Sequence, residues 1–253
     1  MVRAPLPLLP GYWTRPEDRQ RVVNAMFNRS ARHYERACAI MSFGSGAAYR
    51  RAALVRAGLR TDLDVLDVGT GTGLLAREAA RLVGSSGRVI GIDPSIQMMV
   101  TGRDRGTTGL VQGLGESLPF SDGQFDYVTM GYALRHVGDL DQLFAEYARV
   151  LKPGGRLLLL EITKPASTLG SMLMQAYFGT VVPYLTRIGT RSTHSSQLMK
   201  FYWETIAYCV APEVILASIR RAGFVAERTV IAGIFSEYLG TRGNSQLSAV
   251  ADG

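Results

Sequence analysis

The sequence predicts an α/β fold built on a doubly wound, mostly parallel sheet, and three observations carry this reading. Short apolar runs alternate with helix-compatible stretches between Leu63 and Ile162, the rhythm of strand–helix–strand crossovers. Arg156 to Ile162 is so apolar that it reads as a central strand buried on both faces. The glycine-rich stretch Asp67-Val-Gly-Thr-Gly-Thr-Gly73 lies directly behind the apolar run Leu63 to Leu66, where a chain turns from strand to helix around a ligand. With 253 residues, 47% hydrophobic and 19% charged, the chain suits one large folded domain with an elaborated lid.

In order along the chain, Pro16 to Cys38 reads as a helix, with Val22, Val23, Met26 and Phe27 recurring at near-helical spacing. A second helix follows Gly46 and ends near Gly58. The period then changes: Leu63 to Val68 reads as a buried strand, Gly73 to Val83 as a helix and Arg88 to Ile92 as a strand. A helix starts at Pro94-Ser-Ile-Gln-Met-Met, Gly109 to Gln112 is a short strand and Phe125 to Met130 a longer one. Asp139 to Leu151 is a helix stopped by Pro153-Gly-Gly. After Lys164 nearly fifty residues intervene before the next clear unit, helix Pro212 to Ala222 and strand Phe224 to Ile231. A connection that long in a compact domain is most often a lid over a site. The expected segments are 1–60, an N-terminal helical lid; 61–165, the cofactor-binding core; 166–211, a helical insertion over the acceptor pocket; and 212–253, a helix and strands completing the sheet.

Charge and composition narrow the function. Residues 1–60 hold eleven arginines against Glu17, Asp18 and Glu35, which accounts for the whole formal charge of +7. Such a segment could meet an acidic membrane surface or simply be a solvated helical face; with no basic–aromatic interleaving, no nucleic-acid partner is expected. Ala166 to Thr186 is uncharged and apolar, but Gly170, Gly179 and Pro183 interrupt it, which favours an apolar lid over a spanning helix. The N-terminus lacks a continuous apolar stretch of signal-peptide length, so a cytoplasmic location, with membrane association open, is expected. Cys38 and Cys209 form no C-x-x-C pair, and His33, His136 and His194 are scattered; no metal is expected. The oligomeric state stays open, a homodimer included.

The glycines alone do not choose the ligand, since Gly71, Gly73 and Ala76 also satisfy the dinucleotide pattern G-x-G-x-x-A. Asp93, placed after the second strand, can accept hydrogen bonds from both hydroxyls of a ribose, which suits NAD or S-adenosylmethionine and disfavours NADP. Asp67 puts a carboxylate just before Gly69, Gly71 and Gly73, which suits an ammonium better than a pyrophosphate.

Two further motifs, Gly115-Glu-Ser-Leu-Pro-Phe-Ser-Asp-Gly-Gln-Phe-Asp126 and Arg149-Val-Leu-Lys-Pro-Gly-Gly155, resemble those of class I S-adenosylmethionine-dependent methyltransferases. Three more segments, Met26-Phe-Asn-Arg-Ser-Ala-Arg-His-Tyr34 with Met41-Ser-Phe-Gly44, Tyr132-Ala-Leu-Arg-His-Val137, and Leu160-Glu-Ile-Thr-Lys-Pro165, resemble the ubiquinone/menaquinone biosynthesis C-methyltransferase family. The resemblance implies a Rossmann-like seven-stranded sheet with a helical insertion after strand 5, and S-adenosyl-L-methionine as methyl donor. It implies cofactor contacts at Thr72, Asp93, the pair Leu114 and Gly115, and Gly131. Leu114 stands where an Asn or Asp is common, so the adenine would rely on backbone near Gly115 and on Glu116. Gly131 stands in place of a common Ser and His136 in place of Asn, which opens secondary-metabolic aromatic acceptors beside quinols.

The expected reaction moves a methyl group to a small hydroxylated aromatic or quinol acceptor, at carbon; O- or N-methylation of a natural product, a non-catalytic binder of the cofactor, and a nicotinamide-dependent oxidoreductase are the alternatives. Arg135 and His136, just past the fourth strand, are the candidate catalytic pair, Arg135 to stabilise a phenolate and His136, ordinarily of pKa near 6.5, to act as base. If either is structural, Arg135 would pair with Asp139 and His136 would pack. The candidate acceptor pocket comprises Phe27, Tyr34, Tyr132, Met174, Tyr177, Phe178, His194 and Tyr202, with Met172 and Tyr184 as further apolar candidates; a Met and aromatic stripe of this kind equally describes plain core.

Overall fold

The computed structural model describes residues 4–243; the extreme ends of the first and last expected segments lie outside the described residues. The strands are β1 (Asp64–Val68), β2 (Arg88–Asp93), β3 (Leu110–Gln112), β4 (Phe125–Gly131), β5 (Leu151–Ile162), β6 (Phe224–Ile231) and β7 (Phe235–Arg242). They form one sheet in the order β3-β2-β1-β4-β5-β7-β6, parallel through β5. β7 runs antiparallel to both its neighbours, slotted between β5 and β6. The chain winds outward from β1 to β2 and β3 on one side and from β4 to β5 on the other. The order therefore reverses between β1 and β4, which opens a crevice at their C-terminal ends.

Helices α3 (Leu74–Val83), α4 (Ile96–Asp104) and α5 (Leu140–Val150) are the crossovers, and α9 (Pro212–Arg221) leads into β6. Local chemistry sets their starts. Asp139 caps α5, its carboxylate accepting from the Asp141 and Gln142 amides at 2.8 and 3.3 Å, and Ser95 caps α4, each cap worth about 1 kcal/mol. The sheet is buried on both faces. Leu143, Phe144, Tyr147, Ile215 and Ile219 cover one face, and Ala53, Leu54, Leu75 and Ala79 cover the other. A fully buried Leu or Phe of this kind contributes roughly 1.5–3 kcal/mol.

The predicted elements recur with small shifts at their ends. One difference is instructive: β5 begins at Leu151 rather than Arg156, and its pairing with β4 shifts register between Phe125 and Tyr127. Pro153, Gly154 and Gly155 thus lie in a strand with a bulge, a place where proline and glycine are tolerated. A Cβ on Gly155 would lie 2.8 Å from the Lys152 carbonyl and 3.2 Å from that of Asp126.

Above the crevice lie α1 (Arg19–Met41) and α2 (Gly46–Arg56) from the N-terminal segment, and α6 (Thr168–Ala176), α7 (Val182–Thr190) and α8 (Thr193–Tyr208) from the long connection. Tyr177–Val181 is a π-helical turn joining α6 to α7, packed where Gly179 lets the Trp203 ring approach. α1, α6, the π turn, α7 and α8 share a third core that includes Val23, Phe178, Val182, Leu198 and Phe201, together with Trp13 from the N-terminal stretch, whereas α2 packs on the sheet face through Ala53 and Leu54. Among the described residues no helix is long and apolar enough to cross a membrane, because the uncharged 166–186 stretch is divided among α6, the π turn and α7. Glu35 on α1 ties this roof to the sheet layer, accepting from Arg77 at 2.7 Å and Arg105 at 3.1 Å.

Candidate active site

The crevice holds a cleft enclosing about 950 Å³ of atom-free space, open solvent at its mouth included. Its floor is the glycine loop. The Gly69 and Thr70 amides donate to the Ile92 carbonyl at 2.8 and 3.1 Å, fastening the end of β1 to β2. Gly69, Gly71 and Gly73 have φ of +66°, +58° and +83°, the left-handed region that side chains resist by about 1–2 kcal/mol. Gly73 caps α3 in that conformation, so the positive end of the helix meets the loop.

The three glycines differ in the room behind them. A Cβ on Gly69 would sit 2.5 Å from the Ala133 Cβ, whereas one on Gly71 would meet only the flexible Met98 methyl at 3.1 Å. Gly69→Ala is therefore expected to cost more stability and more S-adenosylhomocysteine affinity than Gly71→Ala, as read by thermal melting and calorimetric titration. Equal losses would mean that backbone conformation alone, and not crowding by Ala133, sets the requirement.

Asp93 organises the far side of the loop. Its Oδ2 accepts from the Gly71 amide and its Oδ1 from the Ser95 amide, both at 2.8 Å, and each oxygen keeps a second lone pair. Asp67 is 1% exposed; its Oδ1 accepts from Thr129 Oγ1 at 2.7 Å while its Oδ2 is buried without a partner among the described residues. Burial pushes both carboxyls up to about 6. An unsatisfied buried carboxylate oxygen on a cleft wall is a receptor for a cation or donor.

The opposite wall is aromatic. Phe27 and Tyr34 from α1, Tyr132 and His136 from the β4–α5 loop, and Tyr202 from α8 all line it. Tyr132 itself has φ +61°, a strained conformation for an aromatic residue that marks a site whose surroundings over-determine it. Its amide donates to the Leu160 carbonyl at 2.8 Å. The His136 ring stacks on Phe201 at 5.5 Å and meets Phe27 edge-on at 5.2 Å. Both His136 nitrogens are buried without partners among the described residues, and burial, with Arg135 and Arg19 nearby, lowers its pKa well below the usual value. The ring is thus a neutral hydrogen-bonding group that resists taking a full proton, and its burial works against the base role expected of it.

Of the expected cofactor residues, Asp67, Gly69, Gly71, Asp93, Leu114, Gly115, Glu116 and Gly131 line the cleft. Thr72 and Gly73 lie behind it. The Thr72 carbonyl accepts from Arg77 at 2.6 Å and from Thr107 at 3.0 Å, which shapes the loop from below. Glu116 is engaged, its Oε1 taking the Gly138 amide. Arg135 departs furthest from expectation. It is fully buried beneath the wall rather than on it. Its Nη1 lies 3.5 Å from Glu161 Oε2, its Nη2 donates to the Tyr132 carbonyl at 3.2 Å, and its guanidinium sits 4.6 Å from the Tyr202 ring centre. Its carboxylate partner is therefore Glu161, not Asp139, which caps α5.

The insertion residues also sort differently. Met174 and Phe178 are buried in the third core, and Tyr177 donates to the Met41 carbonyl at 2.8 Å while stacking on Phe43. His194 is exposed on α8, and Met172 and Tyr184 face outward; none of these lines the cleft. Helical spacing could not separate the stripe that faces the cleft from the one that fills the roof. Sequence reasoning missed Arg50, Gln20, Asn24 and Ser95, all on the cleft wall, because nothing local distinguishes them from an ordinary helix face or cap.

A doubly wound sheet of this order, with an acid-flanked glycine loop, an aspartate at the end of the second strand and an aromatic roof around one cleft, defines a methyltransferase of the class I type. The chain belongs to the ubiE/COQ5 methyltransferase family, whose profile matches residues 15–242, and it is an S-adenosylmethionine-dependent methyltransferase. It is 34% identical over 242 residues to the "Ubiquinone/menaquinone biosynthesis C-methyltransferase UbiE" of Pseudomonas paraeruginosa, covering 92% of this chain and 93% of that one. It is 33% identical to the protein of the same name from Francisella tularensis subsp. holarctica, over 88% and 92% of the two chains. Its fold matches a SAM-dependent methyltransferase from Thermotoga maritima with a TM-score of 0.61 at 21% identity, over 86% and 99% of the two chains. The residues present fit the cofactor: the unpartnered Asp67 Oδ2, the two-sided Asp93 carboxylate and the glycine cradle together offer what an ammonium, a ribose and a nucleoside need.

Proposed function

We propose that this enzyme methylates a ring carbon of a small hydroxylated aromatic or quinol acceptor seated against Phe27, Tyr34, Tyr132, His136 and Tyr202. The observation that carries this reading is the His136 imidazole, neutral and with both nitrogens unpartnered, set in an otherwise aromatic wall. Such a wall holds a flat ring by its faces and offers, in His136, unpartnered nitrogens where a ring hydroxyl can be held. The names of the curated relatives, C-methyltransferases of quinone biosynthesis, support the same acceptor class.

The sulfonium of S-adenosylmethionine supplies an activated methyl group, so the chain's main contribution is alignment, for which positioning can provide about 7–11 kcal/mol. Asp93 would fix the ribose and Asp67 the ammonium. His136 accepts a hydrogen bond from the ring hydroxyl, which pushes electron density onto the ring carbon that attacks the methyl. The bond between the methyl and sulfur would break to leave S-adenosylhomocysteine, and the ring proton would pass to solvent at the open mouth of the cleft as the ring regains aromaticity. Arg135 acts through other groups, holding the Tyr132 carbonyl and thereby the bend that presents both Tyr132 and His136.

The test is to incubate the protein with S-adenosylmethionine and a panel of quinols and phenols, follow the mass gain of one methyl, and assign its position by NMR. A methyl on carbon supports the reading. A methyl on oxygen would favour the second reading, a natural-product O-methyltransferase, in which the same unpartnered imidazole orients the attacking hydroxyl by a hydrogen bond and the proton goes to solvent. His136→Phe, which keeps the stacking on Phe201, is expected to lower turnover roughly 10²-fold while leaving S-adenosylhomocysteine affinity close to that of the parent. Unchanged turnover would remove His136 from the reaction.

A further inference from the structure

Arg50, on the second turn of α2, is a cation with no counter-charge among the described residues. It is 8% exposed and lines the cleft, and it makes no ion pair or hydrogen bond among the described residues. The carboxylates around this part of the roof are taken. Glu35 accepts from Arg77 and Arg105, Glu161 pairs with Arg135, and Glu237 with Arg56. What Arg50 does have is the Tyr132 ring, 5.6 Å from its guanidinium carbon, and the field of its charge on Tyr34 and Cys38. The guanidinium folds back beside Gly46, where a Cβ would lie 2.8 Å from Nη1. Gly46 opens α2, so the nearby backbone amides carry the positive end of that helix and add to the unmet charge. A ring face compensates a buried guanidinium only in part, and a nine-tenths buried charge of this kind calls for an anion.

We infer that Arg50 is the anion-receiving residue of the cleft and takes a ligand oxyanion in a charge-assisted, two-pronged hydrogen bond, the geometry for which a guanidinium is suited. Two groups in the reaction carry that chemistry: the carboxylate at the amino-acid end of the cofactor, and an ionised oxygen on the acceptor. This inference rests on the methyltransferase reading of the cleft.

The experiment compares the parent protein with Arg50→Gln and Arg50→Lys, with Arg50→Met carried alongside should the buried amide disturb folding. Calorimetry measures binding of S-adenosylhomocysteine and of 5′-methylthioadenosine, which lacks the amino acid. Kinetics measures KM for a phenolic acceptor and for its neutral methyl ether. If the cofactor supplies the anion, Arg50→Gln loses roughly 10- to 100-fold in S-adenosylhomocysteine affinity and none for 5′-methylthioadenosine. If the acceptor supplies it, cofactor binding is kept and KM rises by a similar factor for the phenol alone. Arg50→Lys keeps the charge but not the fork and should fall between. Neither shift, in variants that melt near the parent temperature, overturns the assignment of Arg50. A parent protein that binds no S-adenosylhomocysteine overturns the reading of the cleft itself.

Discussion

Replacing Glu161 with Ala is expected to lower folding stability by about 3–5 kcal/mol, because it strands the fully buried Arg135 without its counter-charge. The same carboxylate also accepts the Leu134 amide through Oε1 at 3.0 Å. Its loss therefore leaves an orphan donor as well, at a cost of about 1–3 kcal/mol if no water replaces it. What remains for Arg135 is the Tyr132 carbonyl and the face of Tyr202. The double variant Glu161→Leu with Arg135→Leu should recover part of the loss, since removing both charges also removes the desolvation penalty. Guanidinium denaturation of the parent, Glu161→Leu, Arg135→Leu and the double variant gives the coupling directly. A single-variant loss below about 1 kcal/mol would show that water reaches the pair and that its burial contributes little. Activity reads a second consequence: with Arg135 released, the strained Tyr132 turn should relax and turnover fall even where the fold survives.

The buried pair also shows where the sequence stops being informative. The sheet was legible because parallel strands are written as short apolar runs, and the loop from Asp67 to Gly73 because left-handed backbone beside a ligand demands glycine. Arg135 was legible as an important residue, being charged and placed after a strand, but its direction was not. Three residues of 3-10 helix, Leu134–His136, turn His136 to the cleft and Arg135 beneath it, and that rotation depends on packing against Glu161, 26 residues further on. Likewise the stripe holding Met174, Tyr177 and Phe178 is apolar at helical spacing, which fixes that it is buried but not against what. The π turn that follows Ala176 changes the phase of the stripe, and no local signal announces it. Arg50 was missed for a related reason: its meaning lies in the absence of a carboxylate nearby in space, a property no single stretch of sequence carries.

Cofactor affinity is expected to fall steeply as pH drops below about 6, and two carboxylates make the fall steeper than one group can. Burial pushes both Asp67 and Asp93 up to about 6. An ammonium beside Asp67 and ribose hydroxyls donating to Asp93 both favour the ionised forms, so binding must first expel whatever proton each carries. The association constant for S-adenosylhomocysteine should be nearly flat above pH 7 and decline below 6 by up to about tenfold per pH unit for each carboxylate that must ionise. Asp67→Asn should lower the plateau and halve the slope, leaving the Asp93 contribution. Calorimetric titration between pH 5 and 7.5 is the right measurement, because folding stability itself moves in this range with opposing signs. The raised carboxyls contribute stability that is complete below their ordinary value near 3.8 and lost as pH climbs through about 6. His136, lowered from 6.5, works the other way, since below that pH the unfolded chain binds a proton that the native ring refuses. Melting temperatures would mix these effects, whereas the affinity of folded protein isolates the site. An affinity unchanged from pH 7.5 to 5 would mean that neither carboxylate meets the cofactor in its charged form, and the glycine loop would then have to hold the nucleoside by shape and backbone alone.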